Sequence, residues 1–269
     1  MPFNTEVKIT EIEKLNDTVD YPVYRFTCKS PEISQAAVAG QFVNVQVLNM
    51  SIAPLLKRPI SIYNIDKKEN TIEFIFQVRG HGTKILADKK VGENICVLGP
   101  LGKGFSVGKF KNIAIIGGGI GIFPLYELAK ESKKVGQVTT YLGFRDKSFV
   151  VLEDEFKKVS SSLVITTDNG TYGQKGYGVD YLRQDIVSKK FDAIFACGPL
   201  QMLSAVKKTA QDNGIYCEVS LEERMGCSIG ACMGCSVRLA TDDGAVKYAR
   251  VCKEGPVFAA DSVIINDGR

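Results

Sequence analysis

Along the first hundred residues apolar and polar positions alternate in short runs: EVKITEIEKL, PVYRFTCKS, QFVNVQVL, RPISIYNI, TIEFIFQVRG and ENICVLGPLG. A period of two turns one side of each run toward a core and the other toward water, and every run is bounded by Pro, Gly, Asn or Asp, so the pattern predicts short strands. Strands at this spacing predict an antiparallel β-barrel over residues 1–105. A short helix is expected at GTKILADKK, with Thr83 near its start. Over residues 106–215 the pattern changes. Strand candidates at KNIAIIGG, VTTYLGF, LVITTDN and FDAIFACG alternate with segments of helical period at FVVLEDEFKKV, GVDYLRQDIV and PLQMLSAVKKTAQDNG, which predicts an α/β domain with a doubly wound parallel sheet. Residues 216–269 read as short strands around a glycine-rich loop, a small domain organised by a ligand.

Composition agrees with two domains and a small third: the chain has 269 residues, 45% hydrophobic and 24% charged, enough for sizeable cores and unlike a disordered or fibrous chain. The formal net charge of +4 is small, and Lys and Arg are spread along the chain, which leaves no nucleic-acid footprint. The opening MPFNTEVKITEIEKLND lacks the apolar centre of a signal peptide, and the longest apolar run, IAIIGGGIGIFPL, is too short and glycine-rich to span a bilayer. A cytoplasmic protein without a membrane partner is expected. The eight cysteines then read as thiols and thiolate ligands rather than disulfides.

Four of those cysteines carry the clearest chemistry. Cys227, Cys232, Cys235 and, after sixteen intervening residues, Cys252 have the C-x4-C-x2-C spacing with a distant fourth that plant-type [2Fe-2S] proteins use. Gly226, Gly230 and Gly234 let the backbone come close, so that N–H groups can face sulfur. Structural zinc is the alternative, but its usual second C-x2-C pair is missing. Cys28, Cys96, Cys197 and Cys217 fall on strands or their ends and read as small buried thiols; Cys197, in CGP, also closes a strand beside a ligand crevice.

Five other stretches suggest nucleotide binding. IIGGGIGIFPL has the form strand, glycine turn, helix, with Pro124 in the first helical turn, an arrangement that can face a pyrophosphate. Gly117 and Gly119 fit the dinucleotide fingerprint, but Ile122 stands at the third small position and no acidic residue ends the next strand. At the carboxyl ends of strands, TDNGTYG (167–173) and CGP (197–199) are expected to converge with this loop on one crevice. In the barrel, RPIS joins Arg58, able to clamp a diphosphate, to Ser61, expected on the same strand face and able to hydrogen-bond a ring nitrogen. RGHGTK offers Gly80, Gly82 and Thr83 as a second phosphate clamp.

RPIS, GHGT, GGGIGIFPL and CGP in this order resemble the ferredoxin-reductase family of FAD and NAD(P) flavoproteins. SLEERMGCSIGACMGC with VCKEGPVF is similar to the electron-transfer subunits of type B dihydroorotate dehydrogenases, a resemblance that covers essentially the whole chain. It implies FAD contacts at Arg58, Pro59, Ile60, Ser61, Ile75, Phe76, Gln77, Gly82 and Thr83, a [2Fe-2S] cluster on the four cysteines, and NAD at Gly117, Gly118, Gly119, Gly121, Cys197, Gly198 and Pro199. Ile60 replaces an aromatic residue common in the wider family, and Gln77 a basic one. The resemblance further implies an FMN-containing catalytic partner subunit in a heterotetramer, where dihydroorotate is oxidised, so this oxidoreductase subunit carries no catalytic base of its own. The sole histidine, His81, is expected to be a solvent-facing loop residue. Another flavin and iron-sulfur reductase subunit, of the transhydrogenase, sulfide dehydrogenase or hydrogenase type, is one alternative; a zinc-stabilised regulatory nucleotide-binding module is another. NAD is favoured over NADP because no basic cluster marks a 2′-phosphate, although Arg145 follows the second sheet strand.

Overall fold

The computed structural model describes residues 2–47 and 54–265; the last residue of the run QFVNVQVL, Leu48, lies outside them. Six strands close an antiparallel barrel in the order β1-β2-β5-β4-β3-β6: β1 (Phe3–Lys14), β2 (Val23–Lys29), β3 (Phe42–Gln46), β4 (Arg58–Asp66), β5 (Thr71–Gln77) and β6 (Asn94–Leu101). Alternation sorts their side chains as the sequence pattern requires. Val43 and Val45 enter the barrel core with Ile60, Ile62, Phe74 and Phe76, whereas Phe42 packs outside the barrel with the C-terminal segment. Two short helices punctuate the barrel, α1 (Pro31–Ala36) and α2 (His81–Ala87). The first has no counterpart in the sequence pattern, because six residues are too few to show a helical period; Pro31 at its start presets the backbone angle of a first turn.

The barrel has an opening. β4 and β5 pair from Ile62 and Phe74 to Asp66 and Thr71. Beyond that point residues 58–61 pair with β3 and residues 75–77 with β2, so the two stretches diverge and leave a gap in the wall.

The second unit is a seven-stranded sheet with helices on its faces. Its parallel strands are β7 (Asn112–Gly118), β8 (Gln137–Phe144), β9 (Ser162–Thr167), β10 (Gln174–Lys175), β11 (Ala193–Cys197) and β12 (Tyr216–Ser220). Between them lie α3 (Leu125–Lys133), α4 (Glu153–Val159), α5 (Gly178–Lys189) and α6 (Leu200–Asp212). After a separate hairpin, β13 (Ser236–Ala240) and β14 (Val246–Arg250), the chain returns as β15 (Val257–Ala259) and adds an antiparallel edge to β12. The order is β10-β9-β8-β7-β11-β12-β15. Ile113 to Ile116 of β7 are all buried, Ile113 and Ile115 against one set of helices and Ala114 and Ile116 against the other, which is why this run is apolar throughout instead of alternating.

Three details differ from the sequence pattern. The sheet crosses residue 215, the boundary read from the change of pattern: β12 follows it, and β15 comes from far along the C-terminal segment, a pairing that no local signal announces. The helix expected over FVVLEDEFKKV starts only at Glu153, after Leu152 in the left-handed region at φ 64°. Pro124 stands just ahead of α3, because a 3-10 turn, Gly119–Ile122, follows β7 first.

Barrel and sheet are joined by polar contacts. Glu127 of α3 accepts the Ile65 N–H at 2.9 Å, and Lys130, one turn on, donates to the Ile65 carbonyl at 3.0 Å, so α3 completes hydrogen bonds that the end of β4 leaves open. Arg25 of β2 lies 3.4 Å from Glu155 of α4. Among the described residues no helix is long and apolar enough to cross a membrane.

Candidate functional site

The gap in the barrel wall opens on a cavity of about 250 Å³. Arg58, Pro59, Ile60, Ser61, Ile75, Phe76, Gln77 and Thr83 line it from the barrel, Ile120, Phe123 and Cys197 from the sheet unit, and Ser220 to Glu223, Met225 and Pro256 from the C-terminal segment. Arg58 and Ser61 do not share a strand face, since Ser61 lies three positions beyond Arg58 and the pleat has a period of two. Both reach the cavity because it follows the parted strand itself, and all four residues of RPIS line it.

The Arg58 guanidinium lies directly over Gly82: a Cβ there would come within 2.3 Å of it, so any larger residue would push the Arg58 side chain to another position. The guanidinium also donates to the Leu56 carbonyl. Thr83 secures the adjoining turn, accepting N–H bonds from Arg79 and Gly80 at 3.0 and 3.2 Å and donating to the Gly80 carbonyl. His81 is exposed, as expected, but opens α2 instead of lying in a loop.

The basic group missing at position 77 stands two residues further along. Arg79 lines the same cavity and its Nε donates to the buried Gln77 Oε1 at 2.7 Å. Arg79 also borders a second cavity of about 480 Å³, which shares Gln77, Ile120 and Phe123 with the first and adds Gly119, Phe144, Arg145 and Phe149. Together the two form a cleft between barrel and sheet that has apolar walls and a few cations, the composition of a dinucleotide site. FAD fits this arrangement: an apolar gap suits its ring and the Arg58 guanidinium suits its diphosphate.

Two of the three expected loops converge. Gly121 packs on the Cys197 backbone, where a Cβ would come within 2.5 Å of the carbonyl oxygen, and Gly118 lies against Pro199 and Met202, where a Cβ would come within 2.9 Å of each. Gly117 is equally close to Ile122 and Leu125. Packing therefore explains three of the glycines. Gly119 is different, with φ 56° and open space where its side chain would be. Gly198 meets Gly118 and Met202. The third loop lines neither cavity: Asn169 and Thr171 line a neighbouring groove that meets the second cavity at Asn16. β9 is two strands from β7, at roughly 4.8 Å per strand, and the crevice opens between β7 and β11.

Cys197 is fully enclosed, and burial pushes its thiol well above the ordinary range, with Glu222 adding to the effect and the Ser220 hydroxyl opposing it. Glu222 faces the open cavity while crowded by protein; that crowding raises its carboxyl, and Arg79 pulls the other way.

The segment after Ser220 leads from the cavity wall straight into the cysteine loop. Ser228, Gly230 and Met233 take positive φ (59°, 85° and 60°), which bends the chain so that its N–H groups turn inward. Ala231 and Cys232 donate to Cys227 Sγ at 3.3 and 3.4 Å, and Cys252 donates to Cys235 Sγ at 3.4 Å. These donors, with the Cys232 N–H foremost, hold the Cys227 thiol down at about 6, whereas burial and its neighbour Cys235 push Cys252 up to about 12. The thiols are thus neighbours in two pairs, Cys227 with Cys232 and Cys235 with Cys252. Among the described residues no three His, Cys, Asp or Glu side chains converge on one ion. A [2Fe-2S] cluster asks each iron for only two thiolates, so paired sulfurs fringed by N–H donors fit it. The other side of the loop is clamped by Arg250, which donates to the Gly230 carbonyl at 2.5 Å and to Glu254 at 2.9 Å.

The sequence reading missed Arg79, Glu222, Met225 and Phe123 as wall residues. Arg79 stood in RGHGTK, where attention went to the glycines, and Glu222 and Met225 in SLEERMGC, where it went to the cysteine.

Residues 222–264 match the family profile of the iron-sulfur cluster binding domain of dihydroorotate dehydrogenase B, and residues 115–208 that of the oxidoreductase NAD-binding domain. The dihydroorotate dehydrogenase B (NAD(+)) electron transfer subunit of Bacillus pumilus (strain SAFR-032) is 40% identical over 248 residues, 91% of this chain and 93% of that protein. Its counterpart in Bacillus cereus (strain G9842) is 41% identical over 247 residues, 90% of this chain and 93% of that one. A structure described as giving insights into flavin-based electron bifurcation, that of an NADH-dependent reduced ferredoxin-NADP oxidoreductase, superposes with a TM-score of 0.82 and 31% identity over 96% of this chain and 90% of its own. The ferredoxin reductase in carbazole 1,9a-dioxygenase shares the fold at a TM-score of 0.64 and 19% identity, over 80% of this chain and 67% of its own. With a continuous match of this length to the curated subunits, and with barrel, sheet and cysteine loop in the required order, the chain belongs to the family of dihydroorotate dehydrogenase B electron transfer subunits.

Proposed function

We propose that this chain carries electrons between a catalytic partner subunit that oxidises dihydroorotate and NAD+, serving pyrimidine biosynthesis. The single observation that carries this reading is the continuity of the site: Leu221, Glu222, Glu223 and Met225 wall the barrel cavity and, without a break, the chain becomes the cysteine loop. In this reading residues 1–105 hold FAD, 106–215 with the strands added from beyond 215 hold NAD, and 216–269 hold the cluster. Arg58 with Gly82 and Thr83 takes the FAD diphosphate, Pro59 to Ser61 and Ile75 to Gln77 flank the ring, and Arg79 supplies the cation that position 77 lacks. Gly117 to Gly121 with Cys197 to Pro199 shape the NAD end of the cleft, and Cys227, Cys232, Cys235 and Cys252 ligate the cluster. FAD exchanges one or two electrons and a cluster exchanges one, which is the chemistry that couples single-electron arrivals to a two-electron nicotinamide.

The chain's own residues position, seal and balance charge. Ile60, Phe76 and Phe123 exclude water from the cavity, and Arg58 and Arg79 compensate an anionic ligand. The N–H groups around Cys227 and Cys235 compensate thiolate charge. The partner in this reading contains FMN, and the assembly is a cytoplasmic heterotetramer, a setting in which unpaired thiols persist.

A second reading, the reductase subunit of a bifurcating ferredoxin-NADP oxidoreductase, is supported by the likeness at a TM-score of 0.82. Anaerobic purification of the tagged chain from its own cells separates the two. Expected are a flavin and iron-sulfur spectrum, iron and sulfide in equal amounts, and a co-purifying FMN subunit that oxidises dihydroorotate, the complex as a whole reducing NAD+. A colourless chain, or a partner inert to dihydroorotate, would refute the proposal.

A further inference from the structure

The outward face of β3 carries an amide where the barrel has no use for one. Val43 and Val45 fill the barrel core, and Asn44 between them points out; it is 2% exposed and pairs in register with Pro59 of the cavity wall. Its Nδ2 donates to Ser228 Oγ at 2.9 Å, across 184 residues of sequence, while its Oδ1 has no partner. A buried amide left half satisfied is costly, so its presence calls for a compensating role. Ser228 is 1% exposed, follows Cys227 directly, and sits in the left-handed region that disfavours a side chain. Its hydroxyl donates in turn to Met225 Sδ at 3.7 Å, and Met225 lines the barrel cavity.

We infer that Asn44, Ser228 and Met225 form a buried strut of positioning residues that fixes the cysteine loop against the wall of the barrel cavity, and so sets how fast an electron passes between the two sites. The inference rests on the reading of these sites as flavin and cluster sites. Asn44 touches both sides at once: its backbone pairs with Pro59, and its side chain holds the residue next to a cluster ligand. Arg250 anchors the loop at Gly230 from the hairpin side; the strut anchors it from the barrel side. Ser228 uses its one proton toward Met225 and a lone pair toward Asn44, so it serves both bonds only in this orientation. No bond is made or broken by the strut. Its part in the reaction is to hold a separation on which transfer depends steeply.

The test uses the intact complex with its partner subunit, comparing wild type with Asn44→Leu, Ser228→Ala and the double variant. Anaerobic stopped-flow mixing with NADH follows flavin bleaching and cluster bleaching separately, and the reduced cluster is examined by electron paramagnetic resonance and redox titration. Expected is a roughly threefold or greater slowing of cluster reduction in each single variant, with flavin reduction by NADH unchanged from wild type, because a site that loses its supporting contacts loosens by about 1 Å and electron transfer falls steeply with separation. Both midpoint potentials should stay unchanged, which separates a changed distance from a changed driving force. The double variant should be no slower than the slower single one, since both break the same strut. Wild-type cluster reduction in Asn44→Leu with full iron and flavin would overturn the inference, as would equal slowing of the hydride step. Should Ser228→Ala lose iron, Asn44→Leu, which leaves the cysteine loop's sequence intact, decides by the same criteria. A wild-type complex without flavin or iron would instead remove the cofactor reading beneath the strut.

Discussion

The two glycine-rich loops of this protein look alike in sequence and do opposite things. In GGGIG most glycines exist because other protein atoms are in the way: Gly121 against the Cys197 carbonyl, Gly118 against the side chains of Pro199 and Met202. In GCSIGACMGC two of the three glycines adjoin sulfur instead, with Cys232 Sγ 3.4 and 3.5 Å from where Cβ atoms on Gly226 and Gly234 would be, while Gly230 faces the Lys253 side chain. The first loop is closed by packing and leaves only Gly119 facing open space. The second is folded around its own thiols by inward N–H groups. Glycine content alone therefore does not identify a ligand loop; what the glycine adjoins does.

The largest effect should come from the second loop. Cys235→Ser removes one sulfur of the buried pair and is expected to cut NADH-linked electron flow to the partner by more than roughly a hundredfold, given that even outer-sphere changes cost 10–100-fold at metal sites. NADH oxidation with an artificial acceptor at the flavin should survive, and the visible spectrum should lose its iron-sulfur contribution. Full coupled turnover in this variant would break the distinction between the loops.

The first loop offers a sharper internal contrast. Gly121→Ala forces a methyl against backbone that cannot rotate away; flavin reduction by NADH should fall by about a hundredfold and the melting temperature should drop, because the two nucleotide loops are pushed apart. Gly119→Ala meets no atom within 4 Å and should cost only the left-handed strain of about 1–2 kcal/mol. Equal losses in calorimetry for the two variants would remove packing as the explanation.

The smallest expected effect concerns the clamp on the cluster loop. Bonding to Arg250 holds the Glu254 carboxyl down at about 2. A depressed folded value means that the carboxylate stabilises the fold above its unfolded value, and that this contribution is lost as pH falls through the folded one. Glu254→Gln should therefore lower the melting temperature by roughly 2–4 °C at neutral pH, since a solvent-screened pair contributes about 1 kcal/mol or less. The gap between variant and wild type should narrow below about pH 4.3 and close toward pH 2. A gap constant with pH would leave the ion pair without a role.

How much of this was legible depended on range. The six barrel strands announced themselves through a period of two, and the parallel strands through unbroken apolar runs such as Ile113 to Ile116, because both signals are written within a few residues. The cysteine loop was legible for the same reason: Cys227, Cys232 and Cys235 fall within nine positions. Arg79 was not, because only the gap between β4 and β5 reveals that a position two residues beyond Gln77 faces the same cavity. The TDNGTYG loop was misjudged for the converse reason: carboxyl ends of strands are marked in sequence, but the number of strands separating them is not.

Local chemistry thus determined which elements form and which residues can ligate sulfur clusters or nucleotides, since spacing, periodicity and glycine are properties of the chain alone. Which of them meet was decided by tertiary structure. The return of β15 to the sheet edge, where Val257 pairs with Ser220, and the bond from Asn44 to Ser228 across 184 residues join distant segments, and the parting of β4 from β5 follows from their pairing with β3 and β2; such contacts depend on how elements pack, a property no short window of sequence contains.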